Sequence, residues 1–106
     1  MAYYLVKAQF REERLAELRA RLDSGEIERM RPFGTALHGG LDKARIQAPG
    51  WAVWEEEDYC QPPLAMERAA VLDAYFDGLG VERVAANEGW AQIDELPRLW
   101  DSWTSQ

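Results

Sequence analysis

His38 is the single histidine of this chain, and imidazole is the side chain whose ordinary pKa lies nearest neutrality. It precedes Gly39-Gly40, at what the residue pattern makes a strand end, where loops often build sites. That placement suits a general acid or base at a pocket mouth. The plainer reading is a surface histidine beside a flexible loop. Glu55-Glu56-Glu57-Asp58 is a run of four carboxylates. On a strand, Glu55 and Glu57 share one face and Glu56 and Asp58 the other. Crowded carboxylates raise one another's pKa values and can hold a hard cation through oxygen. The spacing matches neither a calcium loop nor a zinc motif, so the run reads first as a solvated acidic strand end.

Cys60 follows directly. It is the only cysteine, which rules out an intrachain disulfide. The neighbouring carboxylates raise a thiol pKa and suppress the nucleophilic thiolate. Arg29, Arg31, Arg45 and Arg68 are possible clamps for an anionic ligand. Arg68 stands beside the apolar stripe of a predicted helix, near the helix–sheet boundary, where Glu55 or Glu57 would pair with it.

These residues need elements to position them. Ala2–Phe10 reads as a strand, with Tyr4, Val6, Ala8 and Phe10 on one face at period two. Arg11 to about Leu22 reads as a helix with a Leu15, Leu18, Leu22 stripe, stopped by Asp23-Ser24-Gly25. Glu28–His38 is expected to be a second strand, bent or at an edge because Pro32 and Gly34 flank Phe33. Residues 41–50 read as a loop. Trp51–Glu57 is the clearest interior strand. Gln61-Pro62-Pro63 opens a second helix, with a stripe at Ala65, Ala69, Leu72 and Phe76, ended by Asp77-Gly78-Leu79-Gly80. Val81–Asn87 reads as the last strand. Beyond it a short helix is expected, capped by Asp94 with Pro97 in its first turn.

The whole is one domain's worth of chain, 106 residues with 47% hydrophobic and 29% charged, ordinary for a globular protein. Residues 1–89 form the core and 90–106 a Trp-rich tail. Net charge is −7, with nine Lys/Arg against seven Asp/Glu in residues 1–45 and three against twelve in residues 46–106. Such an acidic half repels phosphate backbones, which speaks against nucleic acid and anionic membranes as partners. No basic leader and no apolar run of membrane-spanning length is present, and cytoplasmic localisation is expected. Five tryptophans are present, three of them within the last seventeen residues. Trp100 and Trp103, at i and i+3, would face one way. They read as packing onto the domain or across a dimer, or else as a lid or docking segment.

The order β-α-β-β-α-β is that of the split βαβ motif. The fold expected is therefore α+β and ferredoxin-like. It has a four-stranded antiparallel sheet, helices on one face and a short C-terminal helix. The open face, carrying Tyr3, Leu5 and Trp54 or its neighbours, would be covered by a second copy.

The layout resembles the dimeric α+β barrel superfamily and, within it, the YCII-like proteins. Three stretches carry the likeness: Leu22-Asp23-Ser24-Gly25-Glu26-Ile27, Pro32-Phe33-Gly34, and Asp73-Ala74-Tyr75-Phe76-Asp77-Gly78-Leu79-Gly80-Val81. The last is similar to the family's Asp-Pro-Tyr segment. The family pairs that aspartate with a histidine on the first helix. Here helix 1 has no histidine and Ala74 stands in place of the proline, so only Asp73 is carried over. The resemblance implies a homodimer with a small organic ligand. In an enzyme of this kind, His38 and Asp73 would be the catalytic groups. Arg68, Phe33, Trp54, Tyr75 and Phe76 would line the ligand cleft between sheet and helices. Proton transfer on an organic acid or lactone is the reaction implied, and no motif calls for a cofactor. A non-catalytic interaction module, using the acidic strand end and the Trp-rich tail, is the alternative.

Overall fold

In the computed structural model, which describes residues 2–103, the central strand is β1 (Ala2–Phe10). Its even-numbered side chains Tyr4, Val6 and Ala8 are buried, as a half-covered strand of period two requires. Antiparallel to it on one side lies β3 (Trp51–Asp58), with Val6 opposite Trp54 and Ala8 opposite Ala52. On the other side lies β4 (Phe76–Val84). The short β2 (Arg45–Ala48) pairs with β3 at the edge. The sheet is thus a four-stranded antiparallel one of order β2-β3-β1-β4. The protein is an α+β domain.

One face of the sheet carries the main core. A 3₁₀ turn, Glu12–Arg14, leads into α1 (Leu15–Asp23). Leu15, Leu18 and Leu22 are buried as the stripe predicts. Residues 24–33 form turns, followed by α2 (Gly34–Asp42). After β3, Ala65–Glu67 (α3), a wider π turn at Arg68–Leu72 and Asp73–Tyr75 (α4) run on without a break. Leucines from α1, α2 and the π turn, together with Ile27, Leu64 and Tyr75, meet Val6, Ala8, Ala52 and Trp54 in a single cluster. On the opposite face lies α5 (Glu88–Ile93). There Gly89 packs against Leu5 and Glu55 so closely that an added Cβ would sit 3.0 Å from Glu55 Oε1. The helices therefore occupy both faces, not one. A final short helix, α6 (Leu99–Ser102), returns to the core through the buried Leu99. Of the tail expected over 90–106, residues 104–106 lie outside the described residues, as does Met1.

Three expectations are corrected. Residues 28–38 do not form a strand: turns to residue 33 give way to α2. The reason is a helical stripe, Gly34, Leu37 and Leu41, all buried. Gly34 fits because a Cβ there would lie 2.5 Å from the Ile27 carbonyl. The second strand instead comes from the segment read as a loop. The helix before β4 buries Leu64, Glu67, Val71, Leu72 and Tyr75, a stripe one register away from the expected Ala65, Ala69, Leu72, Phe76. Phe76 already belongs to β4, and the glycines expected to stop the helix lie within that strand. Asp94 is the C-cap of α5, and α6 starts after Arg98 with no side-chain cap.

Among the described residues, no helix is long and apolar enough to cross a membrane.

Candidate functional site

The acidic run is not a solvated strand end. Glu55, Glu56 and Asp58 are buried, at 6%, 2% and 4% exposure, because this end of β3 pairs with β1 and is covered on both faces. Pleat alternation sends them to opposite sides. Glu55 faces α5, and its carboxylate accepts the backbone N–H groups of Asn87, Gly89 and Trp90 at 2.9, 2.8 and 3.2 Å. Glu56 and Asp58 face the main core.

There they meet Glu67, which is fully buried. Trp54 Nε1–H donates to Glu56 Oε1 at 3.0 Å. The carboxyl groups of Glu56, Glu67 and Asp58 lie against one another. Ionised carboxylates only accept, so a hydrogen bond between two of them requires a proton on one. Burial, reinforced by the contact with Glu67, holds Glu56 well above the ordinary carboxylate range. Burial also raises Glu67, against the opposing bond from Glu56. Burial alone would raise Asp58 too. Hydrogen bonds from Glu67 and from the backbone N–H groups of Leu64, Cys60 and Tyr59 outweigh it and hold Asp58 below that range. Burial thus favours the protonated form of Glu56, and the backbone donors favour the ionised form of Asp58.

Local backbone positions this set. Asp58 Oδ2 accepts from Leu64 N–H at 2.6 Å and from Cys60 N–H at 3.1 Å, closing the turn that reverses the chain after β3. Leu64 takes a left-handed conformation, φ 64°, which a leucine adopts only at a cost of order 1–3 kcal/mol. The turn brings α3 back against the strand end, and the π turn follows immediately after Glu67. Such widened turns are frequent at functional sites. Cys60 Sγ lies 3.8 Å from Glu67 Oε1, with its thiol pKa raised: burial and the adjacent Asp58 and Glu67 charges outweigh a favourable backbone hydrogen bond at Met66.

Asp58 and Cys60 also line a cleft of about 470 Å³ with Phe33, Ala36, Tyr59 and Met66. A second cleft of about 440 Å³ lies on the opposite sheet face, along Leu5, Lys7, Trp51, Val53 and Val81. No buried ionisable group lines it.

The residues expected to form the site are dispersed. His38 is on α2, half-buried, with Nδ1 buried and unpartnered among the described residues. Asp73 and Arg68 do meet, Nε to Oδ1 at 3.3 Å, but as an exposed ion pair. Arg68 is therefore bonded to Asp73 and not to Glu55 or Glu57. Trp54 is fully buried on the main-core side, not on the open face, with its ring centroid 5.3 Å from that of Phe76. Tyr75 is buried as well. Its hydroxyl donates to Glu17 Oε2 at 2.6 Å and accepts from Arg21 at 3.1 Å. Phe33 alone of the set lines the Asp58–Cys60 cleft. Glu67 was not among the expected site residues. Its signal is its place in the stripe Leu64, Glu67, Val71, Tyr75: a carboxylate on an otherwise apolar helix face.

Comparison with protein-family models, with characterised proteins and with solved structures finds no match.

Proposed function

We propose that this chain binds a small neutral carbonyl compound, of the lactone class, in the Phe33–Met66 cleft and transfers a proton to or from it. The observation that carries the reading is the buried Glu56–Glu67–Asp58 cluster, of which Asp58 is also a wall of that cleft. Asp58, kept ionised by backbone N–H groups, is the base. Asp58 takes one proton and returns it, and the buried carboxyls of Glu67 and Glu56 behind it set its basicity. Pro32, Phe33, Ala36 and Met66 offer an apolar surface to the body of the ligand. Glu57 and Asp58 on the same wall repel a carboxylate, which favours a lactone over an organic acid.

The antiparallel order β2-β3-β1-β4 supports a ferredoxin-like arrangement, and with it kinship to the dimeric α+β barrels and the YCII-like proteins. A homodimer through the second sheet face belongs to the same reading, since α5 covers only part of that face and leaves the Leu5–Val81 cleft open. The free thiol of Cys60 accords with the cytoplasm. The interaction-module alternative draws no support, because Glu55, Glu56 and Asp58 are buried and Trp100 and Trp103 pack against the core.

The test is a thermal-shift titration of chelator-treated protein with lactones and with the matching hydroxy acids. Lactones are expected to raise Tm and the open acids not, and Ala36→Trp, which fills the cleft, should remove the shift. Stabilisation by the acids alone, or a lactone shift that survives Ala36→Trp, would sink the reading.

A further inference from the structure

We propose that Asp58, Cys60 and Glu67 form a binding site for one divalent first-row transition-metal ion of zinc's class, reached from the Phe33–Met66 cleft. One ligand atom from each residue lies within 4.8 Å of the others. Cys60 Sγ and Glu67 Oε1 are 3.8 Å apart. A tetrahedral zinc, with bonds of about 2.3 Å to sulfur and about 2.0–2.2 Å to oxygen, spaces such donors roughly 3.5 Å apart. The Cys60–Glu67 separation needs to close by a few tenths of an ångström, and the distances to Asp58, within 4.8 Å, by no more than about 1.3 Å.

The donor set chooses the class of cation. Calcium and magnesium take six or more oxygens, or keep their waters. A thiolate beside two carboxylates suits a borderline ion such as Zn²⁺ or Co²⁺. Three protein ligands leave a fourth position, as in metal sites that handle small molecules.

A second, independent feature points to an occupant. Glu67 Oε2 and Glu56 Oε2 are buried and receive no hydrogen bond from a protein donor among the described residues. Glu67 is fully buried and Glu56 is 2% exposed, so bulk water does not reach these oxygens. No Lys or Arg among the described residues forms an ion pair with Glu56, Asp58 or Glu67. Positive charge must come from protons or from a cation. The thiol, held at the one place where it completes a three-donor set, tips the choice to the cation. Metal and protons compete for the same oxygens, so the metal-free form carries protons there instead. The inference therefore does not rest on the function proposed above.

The experiment is titration of chelator-stripped, full-length protein with Co²⁺ and then Zn²⁺. Expected are one equivalent of Co²⁺, a thiolate-to-cobalt charge-transfer band, the visible bands of a tetrahedral ion, and bleaching by one equivalent of Zn²⁺. Cys60→Ser should abolish the charge-transfer band and weaken Zn²⁺ binding at least tenfold. Glu67→Gln should weaken it to a similar degree, and Glu82→Gln, at an exposed carboxylate, should leave it unchanged. Should Glu67→Gln fail to fold, Cys60→Ser, at the cleft wall, still decides the matter. Absence of the charge-transfer band, several weak equivalents, or binding unchanged in Cys60→Ser overturns the proposal and leaves protons as the occupants. Lactone binding in chelator, tested separately, stands or falls independently of this result.

Discussion

Glu55 Oε1 accepts the Gly89 N–H at 2.8 Å, tying the middle of β3 to the first turn of α5. The same carboxylate takes the N–H groups of Asn87 and Trp90. A helix leaves its first N–H groups unpaired, and one buried strand carboxylate satisfies three of them. Glu55→Ala is expected to lower stability by about 3 kcal/mol, since buried donors left unpaired cost about 1–3 kcal/mol each and some will reach water. Gly89→Ala should also destabilise, by about 1–2 kcal/mol, because its Cβ would meet Leu5 Cδ1 at 3.2 Å as well as Glu55. Urea unfolding measures both. Values within 0.5 kcal/mol of wild type would mean that α5 is not held this way.

Two glycines of α2 make opposite demands. At Gly34 a Cβ would lie 2.5 and 2.6 Å from the carbonyl oxygens of Ile27 and Glu28, whereas at Gly39 nothing lies within 4 Å. Gly34→Ala is expected to cost about 3 kcal/mol or to prevent folding, because backbone, not a flexible side chain, must move. Gly39→Ala should stabilise by about 0.5–1 kcal/mol, through helix propensity and a less flexible unfolded chain. Equal effects at the two positions would count against α2 as the form of residues 34–42.

Much of the fold was legible because period and burial agreed. The alternation of Tyr4, Val6 and Ala8, and the Leu15, Leu18, Leu22 stripe, match strand and helix as observed. Residues 34–42 misled because three glycines and a histidine mask a helical stripe that only Gly34, Leu37 and Leu41 carry. The acidic run misled for another reason. Charge along β3 argues for water, but the N–H groups of α5, some thirty residues on, and the left-handed turn at Leu64 receive two of its carboxylates. The chemistry expected at His38 and Asp73 rested on residue type. The convergence of Glu56, Asp58 and Glu67 depends on the tight turn at Asp58–Leu64, which folds α3 back on the strand end.

Trp100 tests whether the tail belongs to the core. Its Nε1–H donates to the Leu41 carbonyl at 2.8 Å, the Arg19 guanidinium lies 4.9 Å from its ring centroid, and Trp103 packs edge-on at 5.7 Å. Trp100→Ala should lower stability by about 3 kcal/mol, or roughly 12–24 °C in Tm for a domain this size. Trp100→Phe, which loses the hydrogen bond and part of the ring, should cost about 1 kcal/mol. A Trp100→Ala variant as stable as wild type would return the tail to the role of a docking segment.

The buried acids give the metal-free protein an unusual pH response. Glu56 and Glu67 have folded-state pKa values raised by burial, against about 4.3 in the unfolded chain. A group raised on folding contributes fully below its unfolded pKa, and that contribution is lost as pH rises toward its folded value. Asp58, lowered in the folded state, acts with the opposite sign, and its contribution is lost as pH falls below the unfolded aspartate range. The two effects overlap only near the unfolded carboxylate values. Above that range, with chelator present, stability should therefore fall as pH rises toward the folded pKa of Glu56. Glu56→Gln keeps the shape, the acceptor for Trp54 and a donor for Glu67, but cannot ionise. It should flatten the slope above pH 5 and be more stable than wild type at neutral pH. Chemical denaturation of both proteins across pH 4.5–8.5 is the measurement. A slope unchanged by Glu56→Gln would show that this carboxyl does not carry the proton assigned to it.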